Sequence, residues 1–436
     1  MDHPHTKAIV VGGGLSGLGT ACYLAQAGCD VRLLERSGVL GGRARTKRQN
    51  GFAFNLGPHA LYTGGAMTQA LDELGVSYGE RHGPSGIKML SGSQFDLMPD
   101  STMALIRTHG LRTGEKLELM RLLGGLGKHR PRELGHVSVQ AWIEQHTTRP
   151  AARELLVAIA RTAVYCNNLD VVSADVFIDK MQRMMKSPIH YLDGGWATLV
   201  EALVAKASEL GVEIITQSPV TALTVEGGQV SGVRERSGAH RAADVVVLAV
   251  EPGAAKSIAP EHLGVLTCDL LPAEVACLDV ALSRLPNRDH AVVQDIQEPR
   301  FMSTQSCFAK VAPDGAALIT SFKQLDPTAS DSGESRAELE ALLDAAQPGW
   351  RELVLDQQYL PRITAVGGLP QVKNGGFSGR PTPRVPSVQG LFITGDWVGD
   401  TGFLADTCFA SAREAAQLIT AQMRDVRVSR TPTLRP

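Results

Sequence analysis

A short apolar run, Ala8 to Val11, ends directly in Gly12, Gly13 and Gly14. Such a run has the length and composition of a buried parallel strand. From Leu15 to Ala27 the apolar period becomes helical, with Leu18, Ala21, Cys22 and Ala25 on one face, and Gly28 ends the helix. Val31 to Leu34 reads as a second strand, closed by Glu35. Gly12-x-Gly14-x-x-Gly17 therefore spans a strand-to-helix turn inside a βαβ unit, where each glycine has a mechanical reason. Gly12 permits the tight turn, Gly14 lets the backbone approach a pyrophosphate, and Gly17 lets the helix close on the sheet. The N–H groups at the helix start, at Leu15 and Ser16, add the positive end of its dipole. Glu35 lies 18 residues past Gly17, placed to accept hydrogen bonds from ribose hydroxyls, with Arg36 beside it. This predicts an α/β dinucleotide-binding fold and leaves NAD and FAD both open.

Later segments favour a flavin. In "SGVLGGRART", Gly41 and Gly42 allow a close turn and Arg43 offers a fork of donors to a phosphate. In "GLFITGDWVGD", a strand from Leu391 to Thr394 ends at Gly395-Asp396. An acid there suits ribityl hydroxyls, which NAD lacks. "TGFLADTCFASAREAA" follows as a helix. Its first N–H groups, near Leu404 and Ala405, suit the electron-rich N1/O2 edge of an isoalloxazine.

Composition narrows the partners. At 436 residues the chain exceeds what one core usually supports, so two domains are expected. A net charge of −2 supplies no basic field for nucleic acid. The seven cysteines form no CxxC pair, and the polar Met1–Lys7 shows no signal-peptide core, so reduced thiols in a cytoplasmic protein are expected. No apolar run reaches the roughly 18 residues of a membrane span. Segment 104–132 mixes apolar residues (Leu105, Ile106, Leu117, Leu119, Met120, Leu122, Leu123) with basic ones (Arg107, Arg112, Arg121, Lys128, Arg130, Arg132). It reads either as a peripheral contact with an anionic bilayer or as a helical cap over an active site. Oligomeric state is not legible.

Together these segments resemble the FAD-dependent superfamily of phytoene desaturases, flavin amine oxidases and protoporphyrinogen oxidases, most of all its phytoene-desaturase-like bacterial oxidoreductases. "GFAFNLGPHAL" resembles the family's F-D-x-G-P-H stretch beside the flavin, with Asn55 in place of the usual Asp. "YLDGGWATLVEAL" resembles the Gly-Gly helix that re-enters the FAD domain. "GVEIITQSPVTALTVEGGQVSGV" resembles the strand pair whose valine, here Val220, contacts the adenine. "DVVVLAVEP" and "GRPTPRVPSVQGLFITGDW" complete the set. The family's Gly-rich flavin-facing turn is reduced to Gly402 in Thr401 to Cys408, and the Ser-Gly-Gly-Cys-Tyr segment of covalent flavin attachment is absent.

The resemblance implies a two-domain α/β flavoprotein with non-covalent FAD. Its Rossmann-like FAD-binding domain, of glutathione-reductase type, would comprise 1–88, 189–268 and 365–424. An α+β substrate domain would comprise 89–188, mostly helical, and 269–364, mostly strands; 425–436 would form a loose tail. FAD contacts are implied at Gly12, Gly14, Leu15, Ser16, Gly17, Glu35, Arg36, Gly42, Arg43, Gly57, Pro58, His59, Val220, Gly395, Asp396, Leu404 and Ala405. Catalytic candidates are His59, beside the flavin, and Lys323, on a substrate-domain strand like the lysine of amine oxidases. His190, Tyr191 and Asp193 flank the domain crossover and read as hinge packing. No metal-ligand spacing occurs. An aromatic content of 5% argues against an aromatic amine-binding cage. The expected reaction is hydride removal from a C–H bond of a lipophilic, polyene- or terpenoid-like substrate. A flavin amine oxidase or protoporphyrinogen-oxidase-like enzyme and a non-catalytic binding protein on the same fold remain the alternatives.

Overall fold

A computed structural model describes residues 6–79, 83, 86–329 and 334–430, with side chains to Arg424. It opens with β1 (Lys7–Val11), α1 (Leu15–Gln26) and β2 (Asp30–Leu34). Every β1 residue after Lys7 is buried, because helices or strands cover both faces of the sheet. Ala8 and Val10 join the core under α1, while Ile9 and Val11 face the opposite layer.

Five strands make this sheet: Leu391–Ile393, Val245–Leu248, β1, β2 and Glu213–Ile215, in that spatial order and all parallel. Numbered in chain order and read from the Glu213–Ile215 edge, they run 3-2-1-4-5, so the direction of winding reverses at β1. Ligands of such sheets bind outside the carboxyl ends of the strands at that reversal. An antiparallel three-stranded sheet, Val220–Glu226, Gln229–Glu235 and His240–Ala242, fills the connection before Val245.

A second, seven-stranded sheet runs in the order Val354–Val366, Ala273–Leu282, Ala317–Gln324, Arg300–Thr304, Val292–Asp295, Lys88–Ser91 and Gln94–Leu97. Its side chains alternate between two cores, as the strand period demands. Ala276 and Leu278 lie in the core that contains Leu339, Leu342 and Leu343 of helix Ser335–Ala346. Val275, Cys277 and Phe322 join the opposite core, with helices Val139–His146, Pro150–Val164 and Ala174–Met184. The Lys88–Ser91 and Gln94–Leu97 hairpin pairs with a strand 205 residues further along the sequence, which the mostly helical reading of 89–188 did not foresee.

The sequence reading expects a loose tail over 425–436. Helix Ala405–Arg430 continues well into it, and residues 431–436 lie outside the described residues. Its early turns pack on α1, and nothing in the Ala-, Gln- and Arg-rich stretch that follows stops a helix. No helix among the described residues is long and apolar enough to cross a membrane.

Candidate active site

The β1–α1 turn is a cradle that side chains would fill. Gly12 has φ +109°, and a Cβ there would press on Ala249 O. A Cβ on Gly17 would overlap Gly12 O, whereas one on Gly14 meets nothing within 4 Å. Gly14 therefore borders open space while its neighbours close the turn. Gly41 N donates to Gly13 O (2.7 Å), which lays the Gly41–Gly42 loop across the cradle. The α1 N-terminus carries no side-chain cap and no acidic residue in its first turn, an arrangement suited to an external anion. Ser16 Oγ turns away, donating to Cys408 O (3.2 Å).

At the end of β2, the buried Glu35 carboxylate accepts from Gly13 N (2.7 Å) and Ser37 N (2.8 Å). Each of its oxygens keeps a further lone pair for a hydroxyl. Arg36 is exposed, and Val220 starts its strand partly buried against the core under the three-stranded sheet. This donor and acceptor set fits a dinucleotide: N–H groups for two phosphates and a carboxylate for a ribose.

Arg43 and Asp396 meet. Arg43 Nη1 and Nη2 donate to Asp396 Oδ2 (2.8 Å) and Oδ1 (2.7 Å), and Nη1 also to Ala365 O (3.1 Å). Gly367 N donates to Asp396 Oδ2 (2.8 Å). Burial pushes the Asp396 carboxyl up, but the Arg43 guanidinium outweighs it and holds the group below its ordinary range. Sequence reading treated the two as separate contacts, with a phosphate and with ribityl hydroxyls; they form one bidentate pair tying the Gly42 loop to the strand end. Behind them the buried Arg380 donates to Gly402 O (3.0 Å) and Thr407 Oγ1 (3.2 Å), bracing the turn that carries Leu404 (φ +58°) and Ala405.

Gly57 (φ +99°), Pro58 and His59 follow strand Phe52–Asn55. A Cβ on Gly57 would press on Ile363 Cδ1 at 2.5 Å, so this loop lies directly on the seven-stranded sheet. His59 Nδ1 faces Gly57 O at 2.9 Å and its ring packs on Trp196, centroids 4.9 Å apart. A carbonyl partner makes Nδ1 the donor. Burial, reinforced by the nearby Arg43 charge, lowers the His59 pKa despite backbone hydrogen bonds to Gly57 and Arg43, so the ring is neutral at pH 7. Asn55 is structural: its Oδ1 accepts from Thr46 Oγ1 (2.7 Å) and Trp196 N (3.1 Å).

Lys323 does not join this group. It lies one residue beyond the site-facing Phe322 and therefore points to the other side of the sheet, ion-paired with Glu338 of helix Ser335–Ala346. The amine that does stand near the flavin-side turn is Lys180, on helix Ala174–Met184. Its Nζ donates to Ala163 O (2.8 Å) and lies 4.1 Å from the Tyr62 ring centroid, 5.3 Å from Tyr165 and 5.5 Å from Phe403. Burial lowers its pKa to about 7, against the pull of Asp406. Three of the chain's aromatic rings thus gather around one buried amine. Sequence reading did not single out this lysine; the signal was its place on the apolar stripe of Val176, Phe177 and Met181. It also missed Asp279, beside Cys277, whose carboxyl burial pushes up to about 7.

A solved oxidoreductase from Methanosarcina mazei has the same fold, with TM-score 0.75 and 20% identity over 95% of this chain and 99% of that one. Among curated proteins, a 4,4'-diaponeurosporene oxygenase of Staphylococcus haemolyticus is 25% identical over 280 residues, 55% of this chain and 54% of that protein. A phytoene desaturase of Cercospora nicotianae is 27% identical over 278 residues, 55% of this chain and 44% of that protein. The chain thus spans about half the length of these curated relatives. The family described as flavin containing amine oxidoreductase matches residues 15–275. The chain therefore belongs to the flavin containing amine oxidoreductase family, and the dinucleotide cradle makes its flavin FAD.

Proposed function

We propose that the chain oxidises a C–H bond of an apolar, polyene- or terpenoid-like substrate, as a desaturase or oxidase. The carrying observation is the face of the seven-stranded sheet beneath the His59 loop. Its side chains there are Val275, Cys277, Phe322 and Ile363, with Tyr165 stacked on Phe322 at 5.7 Å, so the core wall under the loop is apolar and aromatic. Apolar contact suits a hydrocarbon, and the relatives named for phytoene and diaponeurosporene support the same class.

FAD, when bound, supplies a two-electron oxidant for a C–H bond. Held non-covalently, its phosphates would meet the N–H groups of Leu15, Ser16 and Gly17 beside Gly12, Gly14 and Gly42. Glu35 would accept from the ribose, and Val220 would contact the adenine. Gly395, Asp396, Leu404 and Ala405 would border the ring with Gly57 and Pro58. Arg43, already paired with Asp396, fixes the loop rather than reaching outward alone. His59 keeps its Nδ1 on Gly57 O, with the Arg43 backbone also bonded to the ring, so it would act as a positioned neutral imidazole beside the flavin. Trp196 holds the ring in place.

The helices Thr102–Arg107 and Thr113–Gly125 support a membrane approach for such a substrate. Met103, Ile106, Leu117 and Met120 are exposed there beside Arg107, Arg112 and Arg121, whereas Leu105 and Leu119 are buried and belong to the core. Apolar side chains amid basic ones suit an anionic bilayer. Co-sedimentation with anionic liposomes at low salt tests this, and its absence would remove the membrane reading.

The substrate class is tested by anaerobic bleaching of the bound flavin with a panel of polyenes, amines and porphyrinogens. Bleaching by a polyene supports the reading. Bleaching by an amine or porphyrinogen alone overturns it in favour of the alternative oxidase activity.

A further inference from the structure

Asp279 lies two residues beyond Cys277 on strand Ala273–Leu282 and so shares its face of the sheet. Register sets what stands beside it. Gln358, Asp279, Thr320 and Ser303 lie directly opposite one another on four neighbouring strands and make a polar row. The next row along the same face is apolar: Leu360, Cys277, Phe322 and Phe301. That apolar row meets the His59 loop, since a Cβ on Gly57 would lie 3.8 Å from Cys277 Sγ.

The Asp279 carboxyl is 1% exposed. Gln358 Nε2 donates to its Oδ2 (3.3 Å) and to Asn55 O (3.5 Å), so one amide ties the carboxyl to the backbone two residues before Gly57. Among the described residues its Oδ1 has no hydrogen-bond partner. The groups that face it are neutral or acidic. Its own strand adds the Cys277 thiol, and the next strand adds the Thr320 hydroxyl, which bonds to the carboxyl. Tyr191 Oη lies 2.9 Å from Ser303 Oγ at the end of the row. Asp356, two residues before Gln358 on the same face, adds a second carboxyl rather than a cation. Burial pushes the Asp279 carboxyl up to about 7, against the Thr320 and Gln358 bonds, and pushes the Cys277 thiol and Tyr191 hydroxyl up as well, so both stay neutral.

We infer that Asp279 tunes the reduction potential of the bound flavin: its carboxylate, buried beneath the Asn55–Gly57 turn without an ion-pair partner, opposes the negative charge that reduction adds to the ring, and its protonation removes that opposition. The inference goes beyond the substrate reading and rests on the placement of the ring against Gly57 and Pro58. A charge acts strongly there because neither water nor a cation screens it.

The test uses holoenzyme and measures the midpoint potential of bound FAD against redox dyes from pH 5 to pH 9. Each variant is compared with wild type, so the flavin's own titration cancels. Asp279→Asn, neutral at every pH, should match wild type at pH 5 and exceed it at pH 9 by roughly tenfold in the dye equilibrium, about 30 mV for a two-electron couple. Gln358→Met removes a donor that favours the ionised carboxyl, so it should match wild type at pH 5 and exceed it at about pH 7–8. This second variant decides the matter if the first does not fold. A potential equal to wild type at the higher pH, or an offset of the same size at pH 5, overturns the inference. The FAD affinity of Gly57→Ala tests the ring placement separately, because a Cβ there would press the loop off Ile363. Unchanged affinity rejects the placement, whereas weakened affinity with no pH-dependent offset in Asp279→Asn rejects the role of Asp279 alone.

Discussion

Replacing Lys180 by Met should stabilise the folded chain at neutral pH and lose that advantage in alkali. Burial brings the lysine from its ordinary 10.5 down to about 7 in the folded state, with Asp406 pulling the other way. Below pH 7 both folded and unfolded chains carry the proton, and the folded state bears the full cost of a buried charge. Between about 7 and 10.5 the unfolded chain keeps the proton that the folded chain has released, so wild-type stability rises with pH. At about 1.4 kcal/mol per pH unit, that window is worth roughly 5 kcal/mol. The methionine cannot donate to Ala163 O, a carbonyl in the last turn of helix Pro150–Val164. That loss costs about 1–3 kcal/mol at any pH. The expected balance is a gain of ~2–4 kcal/mol at pH 7 that shrinks by about 4 kcal/mol on going to pH 10. Urea unfolding of both proteins, followed by circular dichroism at pH 7 and pH 10, measures the difference with other titrations cancelled. A variant-minus-wild-type difference that is the same at both pH values would refute the reasoning.

Gly17→Ala should abolish FAD retention, since its Cβ overlaps Gly12 O in the cradle; recovery of yellow protein with an ordinary flavin content would contradict this. Asp396→Ala should destabilise the FAD-free protein by about 1–3 kcal/mol, because it leaves the buried Gly367 N–H without its acceptor and Arg43 with only Ala365 O, whereas Asp396→Asn, which retains an acceptor, should lose less; thermal unfolding of the apo forms ranks them. Lys323→Met should leave the rate of anaerobic flavin reduction unchanged, because its partner Glu338 lies across the sheet from His59; a large drop would return Lys323 to the site.

Much of the nucleotide end was legible because its geometry is local. Strand, glycine turn, helix and second strand occupy consecutive residues, and the demands on Gly12, Gly14 and Gly17 arise within that turn and from the sheet it must enter. The strands of 269–364 were readable for a similar reason, since runs such as Ala273–Leu282 carry their burial in composition. Local pattern did not say which face of a strand looks toward the cofactor. Lys323 and Phe322 are adjacent in sequence, and only pairing with Ala273–Leu282 and packing of helix Ser335–Ala346 decide that Phe322 faces the site and Lys323 does not.

Arg43 and Asp396 show the same division between partners far apart in sequence. Each was recognisable as a cofactor-side residue, but their mutual pairing is a distance across the fold. The Lys180 pocket lies furthest beyond sequence reading. Its rings sit at positions 62, 165 and 403, too few and too scattered to register in composition, and the lysine looks like any other charge on an amphipathic helix. Sequence determined the cradle, because a backbone that must turn sharply and leave room for phosphates can be written in glycines a few residues apart. Tertiary structure alone decided what fills the space opposite it, because burial, ring faces and charge separation exist only once distant segments are packed against one another.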